Sequence, residues 1–86
     1  MTLWNVYILL CADGTLYTGC TNDLQKRIEV HSDGRGAKYL RSRLPVKLVY
    51  SEECADRSSA LVREAAIKKL SRQQKLELVR QQLVQQ

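Results

Sequence analysis

Residues 4–20 have the sequence WNVYILLCADGTLYTGC, and this stretch decides the fold of the chain. Residues 4–11 are aromatic, β-branched and aliphatic, the composition of a strand. Residues 12–14, Ala-Asp-Gly, form a turn signal, and residues 15–20 have the composition of a returning strand. The stretch therefore predicts an antiparallel β-hairpin whose first strand is apolar enough to be buried.

A helix and a basic segment are predicted after the hairpin. Thr21 or Asn22 is positioned to cap a helix over residues 23–32, because short polar side chains accept hydrogen bonds from the first turn. The glycines of residues 33–36 permit the left-handed backbone that ends a helix. The basic segment then runs to Pro45, which prevents continuation of a helix.

The second half of the chain predicts one strand and two helices. Residues 46–51 alternate apolar and polar side chains at first, as a strand does. Asp56 is a suitable cap for a helix over residues 57–70. Ser71 and Gln74 resemble a capping box that opens a last helix extending to the C-terminus. The element order β-β-α-β-α-α predicts an α+β fold with a small three-stranded antiparallel sheet flanked by helices.

Length and composition limit the classes of protein to which this chain can belong. Its 86 residues provide for one core and predict a single domain, residues 1–86. No apolar run approaches the ~20 residues of a membrane span, and the N-terminus lacks the features of a signal peptide. The three cysteines are odd in number and form no CxxC pair, which argues against a disulfide framework and a zinc site. We therefore expect a cytoplasmic monomer with reduced thiols and no membrane partner.

The net charge of +5 is concentrated in one segment. Five basic residues lie between positions 35 and 47 with no acidic residue among them, and the other nine basic residues balance the nine acidic ones. A local positive patch suits a polyanionic partner such as nucleic acid. A solvated loop that only aids solubility is the alternative. The five candidates for phosphate contact are Arg35, Lys38, Arg41, Arg43 and Lys47.

The first predicted helix places two ionisable residues where apolar ones are expected. Leu24, Arg27, Ile28 and His31 have the i, i+3, i+4, i+7 spacing of a core-facing stripe. Burying such groups without partners costs free energy, so a site at the edge of the core would explain Arg27 and His31. Alternatively, both side chains lie at the rim of the sheet and extend to water. Periodicity alone leaves both interpretations open.

Glu64 and two tyrosines are further candidates for a polar site. Glu64 lies beside apolar residues at the edge of a buried helix face, where a carboxylate could bind a hard divalent cation. A surface ion pair with Lys68, four residues later, is the alternative. Tyr7 and Tyr17 lie on the two hairpin strands, where tyrosines also serve as ordinary sheet packing.

The same residues resemble those of a known nuclease family. NVY (5–7) and YTG (17–19) resemble the paired tripeptides that name the GIY-YIG nuclease superfamily. The resemblance continues with Arg27 and His31 as an R-x-x-x-H helix and with Glu64 in a later helix. The segments GAKYLR, PVKLVYSE and RSSALVRE are similar to the small bacterial single-domain branch of that superfamily. The ordered set is more specific than one tripeptide, and it covers nearly the whole chain.

The resemblance implies a metal-dependent endonuclease that hydrolyses phosphodiester bonds of nucleic acid. DNA is the expected partner, selected by structure rather than by sequence, with a place in DNA repair. Tyr7 would be the general base toward a water, and Tyr17 would position groups or handle a proton. Arg27 would bind the scissile phosphate, and His31 would assist proton transfer or phosphate contact. Glu64 would be the sole protein ligand of Mg²⁺ or Mn²⁺, leaving other metal positions open for water and phosphate.

Two departures from the family pattern bear on nucleolytic activity, and two alternative functions remain. Asn5 stands where the first tripeptide has its glycine, and residues 65–86 contain no Asn, although the superfamily often has one there. A catalytically weak or inactive nucleic-acid-binding module of the same fold is the first alternative. The second is a protein-interaction domain whose last helix docks a partner through Leu76, Val79 and Leu83. Such a stripe usually covers the core of the domain itself.

A shared tyrosine site makes a prediction about the hairpin turn. Side chains alternate faces along a strand, and directly opposed residues share a face. Tyr7 and Tyr17 therefore share a face only if opposed residues have numbers with an even sum. A two-residue Asp13-Gly14 turn gives an odd sum, whereas a three-residue loop from Ala12 to a left-handed Gly14 gives an even one. We predict the three-residue loop, with both hydroxyls toward the face that carries the first helix.

Overall fold

Three strands and four helices make up the fold in a computed structural model, which describes residues 3–84. The strands are β1 (Trp4–Cys11), β2 (Leu16–Thr21) and β3 (Val46–Cys54). The helices are α1 (Leu24–Ser32), α2 (Lys38–Arg41), α3 (Arg57–Lys68) and α4 (Arg72–Val84). β1 pairs antiparallel with both neighbours, so the strand order is β2-β1-β3. The predicted α+β architecture with a three-stranded antiparallel sheet is confirmed.

The central strand β1 is buried on both faces of the sheet. Val6, Tyr7, Ile8 and Leu9 are each at most 2% exposed. Because successive side chains of a strand point to opposite faces, a buried central strand needs cover on both sides. Val6 and Ile8 pack with side chains of α3 and α4, whereas Tyr7 and Leu9 pack with side chains of α1 and α2. The core therefore consists of two apolar layers separated by the sheet.

The free edge of β3 is occupied by a side chain of α4. Gln82 accepts a hydrogen bond from the Ser51 N–H at 3.2 Å and donates one to the Ser51 carbonyl at 2.6 Å. The amide thus satisfies the two backbone groups that a neighbouring strand would otherwise bind. β3 continues past this point to Cys54, three residues beyond the predicted end at position 51.

Two features of α1 and α2 differ from the predictions. Asp23, rather than Thr21 or Asn22, is the N-cap of α1, and its side chain accepts from the Lys26 N–H. Thr21 instead accepts from the Asp23 N–H at 3.1 Å, which holds the cap residue in place. The basic segment, for which the sequence predicts no element, contains the one-turn helix α2. Leu40 anchors this turn, since it is 1% exposed and packs beneath α1.

The last two helices have the predicted caps. Asp56 caps α3 and accepts from a first-turn N–H, and α3 ends at Lys68, two residues before the predicted end. The Gln74 N–H donates to the Ser71 hydroxyl at 3.2 Å, and the Ser71 N–H donates to the Gln74 side chain at 2.9 Å. This reciprocal pair is the predicted capping box. The predicted end of the last helix, at residues 85 and 86, lies outside the described residues.

A helix that crosses a bilayer has to be both long and apolar. Among residues 3–84, no helix is both long enough and apolar enough to cross a membrane.

Candidate active site

The hairpin turn has three residues, Ala12, Asp13 and Gly14. The Cys11 N–H donates to the Thr15 carbonyl, and the Gly14 N–H donates to the Cys11 carbonyl, both at 2.9 Å. Gly14 has φ +86°, in the left-handed region that glycine occupies without steric cost. The predicted three-residue loop is confirmed.

This turn places Tyr7 and Tyr17 on one face of the sheet. Tyr7 opposes Gly19 and Tyr17 opposes Leu9, which is the even-sum register. The Tyr7 hydroxyl oxygen lies 3.1 Å from Nε2 of His31, and the Tyr17 ring meets the imidazole edge-on at 5.6 Å between centroids. The two tyrosines and His31 therefore form one cluster beneath α1, which we call the Tyr–His cluster.

Helix α1 buries His31 and leaves Arg27 exposed. Leu24 and Ile28 pack against the buried residues of this face, and His31, one turn further, is 2% exposed. Arg27 is exposed, and its positive charge acts on both Tyr7 and His31. His31 is therefore buried at the core, as the first alternative predicts. Arg27 extends to water, as the second alternative predicts.

Hydrogen bonds select one tautomer of His31. The Ala37 N–H donates to Nδ1 at 3.4 Å, so Nδ1 carries a lone pair rather than a proton. The proton of the neutral imidazole is then on Nε2, which donates to the Tyr7 hydroxyl oxygen. Gly36 lies against the imidazole, where any side chain would collide with the ring. His31 therefore stabilises a negatively charged Tyr7 oxygen more than a neutral one.

Burial opposes the ionisation of both groups. Burial, followed by the neighbouring Tyr17, raises the pKa of Tyr7 well above its ordinary value, whereas Arg27 lowers it. Burial and then the charge of Arg27 lower the pKa of His31, so the imidazole is neutral near pH 7. In the free protein Tyr7 is therefore a phenol, and it needs additional positive charge nearby before it loses its proton.

Gly19 allows the Tyr7 ring to lie across strand β2. A Cβ atom at position 19 would be 2.5 Å from the Tyr7 hydroxyl oxygen and 2.7 Å from Cζ. These separations are shorter than van der Waals contact, so any side chain at this position would displace the ring. Glycine thus places the hydroxyl above the edge strand of the sheet, next to His31.

Glu64 reaches this edge strand from α3, on the other face of the sheet. It lies between the buried residues Ala60 and Ile67, and its side chain is 15% exposed. Its Oε2 atom is 2.7 Å from Nζ of Lys68, so the ion pair named as the alternative is present. Burial raises the pKa of Glu64, but hydrogen bonds from Lys68 and Cys20 lower it by more. Burial and the Glu64 carboxylate in turn raise the pKa of the Cys20 thiol to about 11.

Comparison with known proteins identifies the family of this chain. A family model described as the GIY-YIG catalytic domain matches residues 3–77. The chain belongs to the GIY-YIG family. It is 58% identical over 78 residues to a UPF0213 protein of Desulfotalea psychrophila, covering 90% of this chain and 71% of the relative. A UPF0213 protein of Clostridium perfringens is 58% identical over 74 residues, covering 86% of this chain and 80% of the relative.

Two solved structures have the same GIY-YIG fold as this chain. The solution NMR structure of a protein from E. faecalis has a TM-score of 0.66 at 37% identity, covering 98% of this chain and 90% of its own. The solution NMR structure of a UPF0213 protein from Bacillus halodurans has a TM-score of 0.58 at 44% identity. The match covers 90% of this chain and 82% of the Bacillus halodurans chain. Membership of the GIY-YIG family indicates a nuclease type of domain. The two solved structures do not indicate which substrate such a domain acts on.

Two of the five basic residues predicted to contact nucleic acid are paired with acids. Arg35 lies 2.8 Å from a carboxylate oxygen of Asp33, and Arg43 lies 3.0 Å from one of Asp13. Asp13 belongs to the hairpin turn, so folding brings an acid to a segment that has none in the sequence. Fewer unpaired positive charges are therefore available in this segment for binding nucleic acid than the sequence suggests.

The other three basic residues lie in two places. Lys38 and Arg41 are exposed on α2 and form no ion pair with any residue between 3 and 84. Lys47 lines a groove between β3 and α4, away from the Tyr–His cluster. Lys38 and Arg41 thus lie on the helix whose Leu40 packs in the same layer as Tyr7, whereas Lys47 lies on the side of α4.

Tyr39 of α2 extends the Tyr–His cluster to the surface, and sequence reasoning missed it. Its ring stacks on Tyr17 with centroids 6.0 Å apart and planes inclined at 26°. The guanidinium of Arg43 lies 3.9 Å from the Tyr39 ring centroid, and Tyr39 is 43% exposed. The signal was available, because an aromatic residue between basic ones is typical of nucleic-acid contact.

Glu64 is the residue of this GIY-YIG domain that could hold a divalent ion. Within the described residues, no group of three or more His, Cys, Asp or Glu side chains is arranged to hold a metal. The carboxylate of Glu64 is an oxygen ligand of the kind that Mg²⁺ and Mn²⁺ prefer. A single protein ligand fits a hydrated ion that keeps positions for water and phosphate. In the structure this carboxylate is paired with Lys68, whose Nζ atom lies 2.7 Å from Oε2.

Proposed function

We propose that this chain is a metal-dependent endonuclease that hydrolyses phosphodiester bonds in nucleic acid. DNA is the expected substrate, selected by its structure rather than its sequence. The observation that supports the proposal is the convergence of Tyr7, Tyr17 and His31, with Arg27 beside them and Glu64 at the same edge strand. Phosphodiester hydrolysis needs an activated water, a neutralised phosphate and a stabilised leaving oxygen, and these side chains are suited to those tasks.

Tyr7 is assigned as the general base toward the attacking water. Nε2–H of His31 donates to its hydroxyl oxygen, which favours the phenolate over the phenol. Arg27 acts in the same direction, because its charge lowers the pKa of Tyr7. Burial acts in the opposite direction and has the larger effect. A divalent ion, when bound at Glu64, supplies the remaining positive charge and polarises water and phosphate.

Arg27 and Tyr17 are assigned to positioning. The guanidinium of Arg27 is exposed next to the cluster, and its planar fork of donors matches two phosphate oxygens at once. Tyr17 is held from both sides, edge-on by His31 and by stacking on Tyr39. A side chain held in this way keeps its hydroxyl in one place for a proton or a phosphate oxygen.

A nucleic-acid-binding module without turnover is the second candidate function. It is favoured by the ion pair between Glu64 and Lys68, which engages the proposed metal ligand, and by the lack of Asn in residues 65–86. Both candidates predict binding of nucleic acid, and only the first predicts metal-dependent cleavage.

Cleavage assays with Glu64→Gln test the proposal. The wild type should cleave single-stranded, nicked or branched DNA with Mg²⁺ or Mn²⁺ and should be inactive with a chelator. Loss of the carboxylate should reduce the rate about 100-fold or more, as loss of one transition-state contact does in other enzymes. The melting temperature should change little, because a partly exposed ion pair contributes at most about 1 kcal/mol to stability.

Glu77→Gln is the matched control for this experiment. It also removes a helix carboxylate that is paired with a basic residue, Arg80, at 2.5 Å. This variant should cleave at the rate of the wild type. Normal cleavage by Glu64→Gln would remove Glu64 from the metal role. Binding without cleavage by the wild type on all three substrates would favour the second candidate.

A further inference from the structure

Lys68 forms an ion pair with the carboxylate of Glu64, the group that the proposed function assigns as the metal ligand. Its Nζ atom lies 2.7 Å from Oε2 of Glu64, one helical turn earlier on α3. The Glu64 side chain is 15% exposed and that of Lys68 is 54% exposed. The Glu64 side chain is therefore mostly enclosed by protein, whereas about half of the Lys68 side chain is exposed to solvent.

The position of this pair follows from the packing of α3. Ala60 and Ile67 are fully buried against the sheet, which fixes the rotation of the helix. Glu64 lies on the same stripe and is directed to β2, where Cys20 adjoins it. Lys68 is four residues later and shares the helix face of Glu64. A divalent ion that binds Glu64 therefore has to share this carboxylate with the Lys68 ammonium or displace it.

We propose that Lys68 is a built-in counter-ion of Glu64 that a divalent ion has to displace, so that Lys68 sets the metal affinity of the site. The inference rests on the proposed function in one respect, that Glu64 is the metal ligand. The ammonium and the divalent ion compete for the same carboxylate. A mostly enclosed carboxylate without any cation would be unfavourable. Exchange of Lys68 for a divalent ion leaves the Glu64 charge neutralised in the metal-free and in the metal-bound protein. Lys68 is a positioning residue in this scheme, and it has no contact with the reacting atoms.

The proposal predicts that removal of the ammonium tightens metal binding. Titration calorimetry of the full chain with Mn²⁺, without nucleic acid, measures the affinity directly. Lys68→Gln should bind Mn²⁺ about two- to fivefold more tightly, the range that loss of a partly exposed ion pair allows. Lys68→Met, a second uncharged variant, should show the same gain. Lys68→Arg keeps a cation at this position and should bind Mn²⁺ less tightly than either uncharged variant.

Lys69→Gln is the matched control, because it changes the net charge equally at the neighbouring position. Lys69 is exposed and pairs with no acidic residue in the described part of the chain. Its substitution should leave Mn²⁺ affinity unchanged within error. Equal affinities of Lys68→Gln, Lys68→Met and Lys69→Gln would overturn the role of Lys68.

Glu64→Gln separates this inference from the proposed function. Loss of Mn²⁺ binding in Glu64→Gln, together with no effect of the Lys68 variants, would overturn the counter-ion role and leave the proposed metal ligand intact. Wild-type Mn²⁺ affinity in Glu64→Gln would overturn the metal ligand itself and the inference with it. Thermal unfolding of each variant by circular dichroism shows that affinities are compared between folded proteins.

Discussion

At the scale of single residues, His31 links the site to the stability of the fold. Its imidazole is buried, accepts from the Ala37 N–H and donates to Tyr7. These contacts require the neutral ring, because Nδ1 has to remain unprotonated to accept. The geometry that orients Tyr7 therefore also makes the folded state sensitive to acid.

We expect acid to destabilise the protein through His31. Burial and Arg27 lower the pKa of His31 in the folded state from the ordinary value of 6.5. Below about pH 6.5 the unfolded chain binds more protons, so stability is complete above that pH and is lost as pH falls toward the folded-state pKa. Urea unfolding at stepped pH should show a decrease of at most about 1.4 kcal/mol per pH unit. His31→Gln should lack this decrease, and an equal decrease in the variant would assign it to other groups.

At the scale of elements, the β1–β2 hairpin depends on its loop length. One residue more or fewer in the loop would move one tyrosine to the opposite face, away from α1. Gly14 makes the three-residue loop possible through its positive φ. The loop thus connects a backbone angle at the end of the sheet to the assembly of the Tyr–His cluster.

Gly14→Ala should destabilise the protein by about 1 kcal/mol, because an L side chain is unfavourable in the left-handed region. A Cβ atom at this position meets no other atom within 4 Å, so the cost comes from the backbone alone. Gly14→Asn should lose less, since Asn tolerates this conformation better than Ala. Urea unfolding of both variants measures the difference. Equal stability of Gly14→Ala and the wild type would contradict the left-handed conformation.

At the scale of the whole molecule, positive charge is distributed by folding rather than by chain position. Asp33 and Asp13 pair with two of the five basic residues between positions 35 and 47, and Lys47 lines a groove on another side. Lys38 and Arg41 remain exposed on α2, whose Leu40 packs in the same layer as Tyr7. Non-specific binding of nucleic acid should therefore depend on the α2 side of the molecule.

Charge reversal at Lys38 and Arg41 should weaken binding to all sequences alike. Each lost phosphate contact should reduce the slope of log affinity against log salt by about 0.9 on duplex DNA, or about 0.7 on single strands. Lys47→Glu is the control for each single charge reversal and should have a smaller effect than Lys38→Glu or Arg41→Glu alone, because its side chain lines the groove beside α4. Salt titrations by fluorescence anisotropy measure the slopes. An equal effect of Lys47→Glu would show that nucleic acid contacts both sides of the molecule.

Features that depend on neighbours in sequence were determined by the sequence itself. The apolar run of β1, the cap at Asp56 and the capping box of Ser71 and Gln74 each follow from residues a few positions apart. The three-residue hairpin loop required one further assumption, that Tyr7 and Tyr17 share a face. Under that assumption, strand parity alone gave the register that the structure shows.

The tertiary structure decided what contacts between distant residues control. Helical periodicity treats Arg27 and His31 alike, yet packing against Tyr7 buries one and leaves the other in water. The helix α2 forms because Leu40 finds a buried position, and Arg43 is neutralised because the hairpin turn brings Asp13 to it. Local sequence specifies backbone preference and spacing, whereas burial and charge pairing depend on which surfaces meet in the folded chain.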